Sequence, residues 1–161
     1  MVFISIMGNI GSGKSTLIRN IKQHGYHVIE EPVHEWEEWL KLFYENPSKY
    51  AFSFQMKVLK SFVELSKNID PKKQVIIVER SPLESREIFA KTLFDDGKLS
   101  QIEFDLLKEY HDILAWEPDM LIYLRTDPIR CCDRIKKRSR TCESNIPFEY
   151  INCLYNNYET M

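Results

Sequence analysis

The chain has no apolar run approaching the roughly 20 residues that a membrane span needs, and residues 1–7 lack the charged start of a secretory leader. Neither sign of charge dominates: 22 basic residues stand against 24 acidic ones in 161, so nothing global draws the chain to nucleic acid or to a membrane surface. A cytoplasmic protein is the expectation. The cysteines, Cys131, Cys132, Cys142 and Cys153, form no C-x-x-C pair and have no histidine at ligand spacing. That argues against a zinc site and against a disulfide framework, leaving free thiols. There is no internal repeat, low-complexity tract or Pro/Gly/Ser linker, so residues 1–161 read as a single domain with one core.

Short apolar runs alternate with longer helical stretches. Residues 2–7, 26–30, 74–79 and 119–124 are rich in Ile, Val or Leu and apolar on both faces, as buried parallel strands should be. Helix starts lie between them. Ser81-Pro82-Leu83-Glu84 combines an N-cap, a proline at the first helical position and a capping-box acid. Ser100 with Glu103 repeats the box, and Asp127-Pro128 opens another helix. Gly25 stands where a helix beginning at Ser15 needs a left-handed C-cap. This alternation predicts an α/β fold: a parallel sheet of four strands with helices on both faces.

Gly8-Asn9-Ile10-Gly11-Ser12-Gly13-Lys14-Ser15, followed by Thr16, fits G-x-x-x-x-G-K-[ST]. The glycines let backbone N–H groups curl around phosphate oxygens where a Cβ would obstruct them, and the next helix aims its N-terminus at the same anion. In that reading Lys14 reaches the β- and γ-phosphates of ATP and the Ser15 hydroxyl helps to hold Mg²⁺. The match follows an apolar strand and precedes a helical pattern, which is its confirming context. GTPase chemistry is not indicated, because Lys67-Asn68-Ile69-Asp70 does not supply N-K-x-D.

On the acceptor side the residues leave alternatives open. Glu31 closes the second strand, where ligands of an open parallel sheet gather. It is either a general base for an alcohol or a solvated acid in a loop that also holds Glu35, Glu37 and Glu38. Ala51, Phe54, Val58, Phe62 and Leu65 draw one apolar face on a helix over Pro47–Lys67, and Gln55 sits beside it. An amide there either reads the edge of a base or is satisfied by backbone. Arg130, Arg134, Lys136, Lys137, Arg138 and Arg140 form a phosphate clamp, a solvated basic helix or, less well, a nucleic-acid patch.

Together the P-loop, Glu31-Pro32-Val33-x-x-Trp36, Phe43-Tyr44-x-x-Pro47, Ala51-Phe52-x-Phe54-Gln55, Glu79-Arg80-Ser81 and the arginines 134–140 leading to Glu143 and Ile146-Pro147 resemble the deoxyribonucleoside kinases. That group contains the deoxycytidine, deoxyguanosine and mitochondrial thymidine kinases. The resemblance implies a three-layer P-loop fold with an arginine-rich lid, and ATP-dependent phosphorylation of a deoxynucleoside 5′-hydroxyl in nucleotide salvage. It implies that Glu31 is the base, that Arg80 positions the hydroxyl, and that Glu79 joins Ser15 at Mg²⁺. Gln55 pairs with the nucleobase between Trp36, Phe54 and Phe89, Tyr44 and Glu143 take the sugar 3′-hydroxyl, and Arg134, Arg138 and Arg140 close over the phosphates. Phe62 and Ser85 stand where the deoxycytidine and deoxyguanosine kinases carry a charged pair, which points to a pyrimidine, thymidine first. Members of the group are homodimers. The rivals are a thymidylate-type nucleoside monophosphate kinase and a non-catalytic nucleotide-binding protein.

Two departures from the group stand out. The first of two successive lid acids is replaced by Cys142. The chain also ends at Met161, inside the group's penultimate helix, so a C-terminally shortened form without the group's fifth strand is expected.

Overall fold

A computed structural model describes residues 1–67, 69, 72, 74–140, 143 and 146–161. Four parallel strands, β1 (Val2–Met7), β2 (Val28–Ile29), β3 (Val75–Glu79) and β4 (Met120–Tyr123), form a sheet in the order β2-β3-β1-β4. The helices in chain order are α1 (Lys14–Gln23), α2 (Glu37–Glu45), α3 (Pro47–Lys67), α4 (Pro82–Glu84), α5 (Lys91–Asp95), α6 (Gln101–Leu114), α7 (Pro128–Arg138) and α8 (Phe148–Thr160). Between α4 and α5 the chain runs through a π-helical turn, Ser85–Ala90.

Strand alternation places the layers. Ile4, Ile6 and Ile77 pack with Leu17, Ile18 and Ile21 of α1 on one face. Met7 faces the other way, against Ile88 of the π turn and Leu154 and Tyr158 of α8. Helices therefore cover both faces, as the alternation predicts. A separate aromatic core joins α2, α3 and α6 through Trp36, Phe43, Phe54, Phe62 and Leu107.

The outer strands depart from the expected burial. Only Val28–Ile29 of the second run is strand, and it is half-buried, whereas Met120, Leu121 and Ile122 of β4 are exposed. The strand order explains this, because β2 and β4 take the two edges and only the central β3 and β1 are flanked on both sides.

The caps divide similarly. Ser100 and Glu103 close a reciprocal capping box, and Asp127 accepts from the Ile129 N–H with Pro128 at the first helical position. Gly25 takes a left-handed φ of 85° and donates to the Lys22 carbonyl. The box expected at Ser81 and Glu84 does not form, since no side chain caps that helix. Glu84 is instead drawn into the interior by a guanidinium, a stronger charge-assisted partner than a backbone N–H.

Cys131, Cys132 and Cys153 are free thiols, and Cys142 lies outside the described residues. Among the described residues no helix is long and apolar enough to cross a membrane.

Candidate active site

A cavity of about 1070 Å³ opens at the carboxyl ends of β1, β2 and β3. Ligand pockets commonly hold about 300–1,000 Å³, so this one has room for two ligands end to end. Its mouth is the loop between β1 and α1. Gly8, Gly11 and Gly13 all have positive φ, and a Cβ on Gly11 would sit 2.5 Å from the Cys131 carbonyl oxygen. Only glycine lets this loop curl so closely under α7. The residues Ile10, Gly11, Ser12, Gly13, Lys14, Ser15 and Thr16 line the cavity. Gly8 and Asn9, expected to bind ATP, stand behind it: the Asn9 side chain is buried and spans from the Ile10 N–H to the Ile151 carbonyl of α8.

Lys14 is buried, its ammonium donating to the Gly8 and Asn9 carbonyls at 2.7 and 2.8 Å. Burial, helped by the charge of Arg80, lowers its pKa to about 8. Ser15 Oγ donates to Glu79 Oε1 at 2.7 Å, which brings the two residues expected at Mg²⁺ side by side. Ser12 Oγ is buried with no partner among the described residues, an orphan polar atom inside the loop. Glycine cradle, orphan hydroxyl and adjacent Ser15 and Glu79 oxygens fit a polyphosphate with its divalent cation. Mg²⁺ needs only one or two protein ligands when phosphates supply the rest, so the lack of a three-ligand metal cluster among the described residues is compatible with that fit.

Deeper in, Glu31 meets Arg80. The guanidinium Nε lies 2.9 Å from Glu31 Oε1, and Nη1 lies 2.6 Å from Glu84 Oε1. Burial raises the Glu31 pKa despite the opposing charges of Arg80 and Lys14. For Arg80, burial pulls the pKa down, but Glu84 and Glu31 outweigh it and hold the group far above its ordinary value. Arg80 is also a non-glycine residue in the left-handed region, at φ 67°, and its guanidinium stacks 4.6 Å over the Phe89 ring. Conformations of that kind persist only where neighbours enforce them.

The far end is apolar with one amide. Trp36, Phe54 and Phe62 are buried and meet edge to face, Trp36 lying 6.3 Å from Phe54 and 6.1 Å from Phe62. Trp36 Nε1 is satisfied by Ser61 Oγ, so the indole acts as wall. Gln55, 2% exposed, accepts from Ser85 Oγ at 3.1 Å through Oε1, while Nε2 has no partner among the described residues. Tyr44 and Phe89 line the same space, as do Phe43 and Val58, which the sequence places only in a motif and an apolar stripe, and Leu40 and Tyr150, which it does not single out.

The basic segment divides into two sides. Arg134, Arg138 and Arg140 line the cavity, whereas Arg130, Lys136 and Lys137 face outward. Arg134 Nη1 donates to the Ser12 carbonyl at 2.5 Å, and Arg138 and Arg140 both pair with the buried Glu143. Three arginines thus stand at the cavity, where a phosphate clamp is expected, while the other basic residues of the segment are exposed outside it. The Cys142 departure lies outside the described residues.

Neither Glu84 nor Tyr158 is placed at the site by the sequence. Glu84 mimics a capping-box acid, and Tyr158 lies far along the chain in an ordinary amphipathic pattern, so neither carried a signal of its own. In the fold they meet beneath Arg80.

Comparison with known proteins agrees with this geometry. A family model described as deoxynucleoside kinase matches residues 4–161. A kinase-named protein of invertebrate iridescent virus 3 is 42% identical over 156 residues, covering 97% of this chain and 80% of that protein. Proteins named deoxycytidine kinase from Mus musculus and deoxycytidine kinase 2 from Gallus gallus are 32% and 31% identical, each across 98% of this chain and 74% and 72% of their own lengths.

Proposed function

The chain belongs to the deoxynucleoside kinase family, and from that premise we propose that it transfers the γ-phosphoryl group of ATP to the 5′-hydroxyl of a pyrimidine deoxynucleoside, in nucleotide salvage. The observation that carries this reading is the order of groups along one cavity: phosphate loop, then Glu31 with Arg80, then Gln55 between aromatic walls. A nucleoside laid with its base at Gln55 presents its 5′-hydroxyl to Glu31 and, beyond it, to the loop.

Glu31 takes the hydroxyl proton as the oxygen–phosphorus bond forms and the bond to the β-phosphate breaks, releasing ADP. Its raised pKa makes it a better proton acceptor than a solvated carboxylate. Arg80, fixed on Glu31, holds the hydroxyl in line. Lys14, Arg134, Arg138 and Arg140 take up charge on the transferring phosphates. Ser15 and Glu79 would hold Mg²⁺ together with ATP, and the bound ion would supply further neutralisation of phosphate charge.

Base preference turns on Gln55. The Ser85 hydroxyl can donate to the amide oxygen, as it does here, or accept from the amide nitrogen after a flip. One orientation suits the N3–H and O4 of thymine and the other suits N3 and the amine of cytosine. With Phe62 filling the position two turns along, the pocket favours pyrimidines, thymidine first and deoxycytidine beside it. The relatives named deoxycytidine kinases lend weight to cytosine. A coupled turnover assay with each of the four deoxynucleosides, and with thymidylate as rival acceptor, tests the reading. Pyrimidine nucleosides should lead, and preferential use of thymidylate would replace it.

The working form is proposed to be a cytoplasmic homodimer. Ile102, Leu106, Tyr110 and Ile113 recur at helical spacing on α6 and are exposed, Ile102 and Ile113 by 78% and 77%. A stripe of large apolar residues on one helix face supports self-association there.

A further inference from the structure

Beneath the reacting groups lies a charge cluster that the reaction as described does not use. Glu84 is fully buried at the end of α4. Its Oε1 accepts from three donors: Arg80 Nη1 at 2.6 Å, the backbone N–H of Gly8 at 3.1 Å and the Tyr158 hydroxyl. Its Oε2 has no partner among the described residues. The whole binding capacity of this carboxylate is thus concentrated on one oxygen, at the point where β1's loop, the residue after β3 and helix α8 meet.

Tyr158 completes the junction from α8. Its hydroxyl lies 3.0 Å from both Arg80 Nη1 and the Gly8 carbonyl. Gly8 is therefore held by Glu84 at its N–H, and its carbonyl is a second acceptor within reach of the single Tyr158 hydroxyl proton, so the first residue of the phosphate loop cannot shift without disturbing this junction. Arg80 is held in the same way: Nη1 is anchored below by Glu84 and Tyr158, Nε is aimed at Glu31, and Nη2 has no hydrogen-bond partner among the described residues. With Glu31 as its only carboxylate partner, the guanidinium would be held from one side and have several rotamers open to it. With a second, buried carboxylate it has one.

We propose that Glu84 and Tyr158 are positioning residues for phosphoryl transfer, fixing the Arg80 guanidinium against Glu31 and tying its position to the start of the phosphate loop. This rests on the function proposed above. A buried carboxylate with one unpartnered oxygen is a costly element for stability alone, where an apolar side chain would pack without penalty. The same cost is explicable if the carboxylate sets the direction of a cation. Neither residue lines the cavity, so both act through Arg80 and Gly8 and not on the substrates themselves.

The test is a double-mutant cycle on the full chain, with kcat, KM for both substrates and thermal stability measured for each variant. Glu84→Gln keeps an acceptor oxygen for Gly8 and Tyr158 but removes the charge that anchors Arg80. It should lower kcat about ten-fold while changing the KM for ATP by less than about three-fold, because misaimed groups cost rate more than binding. In an Arg80→Met background the same substitution should change kcat by less than about two-fold, since the group it positions is gone. If Glu84→Gln lowers kcat by the same factor with or without Arg80, or leaves kcat unchanged, the proposal is overturned. Tyr158→Phe, which keeps every carboxylate, runs through the same cycle with a smaller expected loss and decides the matter if Glu84→Gln fails to fold. A parent protein inactive on every nucleoside would overturn this proposal together with the function it rests on, whereas an active parent without coupling overturns this one alone.

Discussion

Arg80 and Glu31 touch at 2.9 Å, yet they reach each other from the ends of different strands, β3 and β2, within a single cavity. In the proposed reaction their contact joins the proton-accepting group to the group that aims the substrate, with the glycine-rich loop beside them. The phosphotransfer account depends on that junction.

Replacing the base should therefore separate binding from turnover. Glu31→Gln keeps the shape and an oxygen beside the Arg80 guanidinium but cannot take a proton. Turnover is expected to fall by ~10²–10⁴-fold with nucleoside affinity, read by calorimetry, nearly unchanged. Turnover within a few-fold of the parent would remove Glu31 from the chemistry.

The loop's tightest glycine gives a second prediction. At Gly11 φ is +77° and an added Cβ would lie 2.5 Å from the Cys131 carbonyl oxygen and 3.1 Å from the Ile135 side chain. Gly11→Ala must displace backbone, at a cost of about 1–3 kcal/mol. Thermal unfolding should drop accordingly and ATP affinity should weaken in step. An alanine variant that melts and binds like the parent would show that the loop does not need this curl.

His111 supplies the pH dependence. It is buried on α6, neither ring nitrogen has a partner, and burial, reinforced by the charge of Arg86, lowers its pKa to about 4 despite Asp112 and Glu87. A depressed folded-state pKa means that the unfolded chain binds the proton first. Stability is whole above the ordinary value of 6.5 and is lost as pH falls towards 4, by up to about 3 kcal/mol. His111→Leu should flatten that share of the decline, so melting curves of the two proteins must diverge between pH 6.5 and 4, with the leucine variant higher at the acid end. Parallel curves would show that His111 already carries its proton in the fold.

The base pocket makes a selectivity prediction. Phe62→Arg with Ser85→Asp installs a charged pair beside Gln55 in place of an aromatic ring and a hydroxyl that bonds the amide at 3.1 Å. Relative kcat/KM should move from thymidine towards deoxycytidine and purines. An unchanged ranking would mean that these two positions do not set preference.

Much of this site could be read from the residues alone, and what escaped did so for physical reasons. The P-loop was legible because an anion cradle demands glycines at fixed places, whereas an acid at a strand's end and an amide on an apolar stripe made Glu31 and Gln55 only candidates until the resemblance to the kinases was added. The four strands were legible too, but not that two would be edges, since an apolar run does not say how many neighbours it will have. Glu84 was misread because Ser81-x-x-Glu84 fits a helix start, and only the packed fold shows a guanidinium competing for it. Tyr158 reaches the phosphate loop through tertiary packing across 150 residues, a relation that local pattern cannot express.

The most direct test of the account follows a label from ATP. Protein, Mg²⁺ and γ-labelled ATP are mixed with thymidine or deoxycytidine, beside 5′-deoxythymidine, which lacks the proposed acceptor, and the products are identified. The account predicts label on the 5′-oxygen of the pyrimidine nucleosides, none with 5′-deoxythymidine, and loss of transfer in Glu31→Gln. Label on the 3′-oxygen, faster transfer to deoxyadenosine or deoxyguanosine, or transfer only to a nucleoside monophosphate would contradict it.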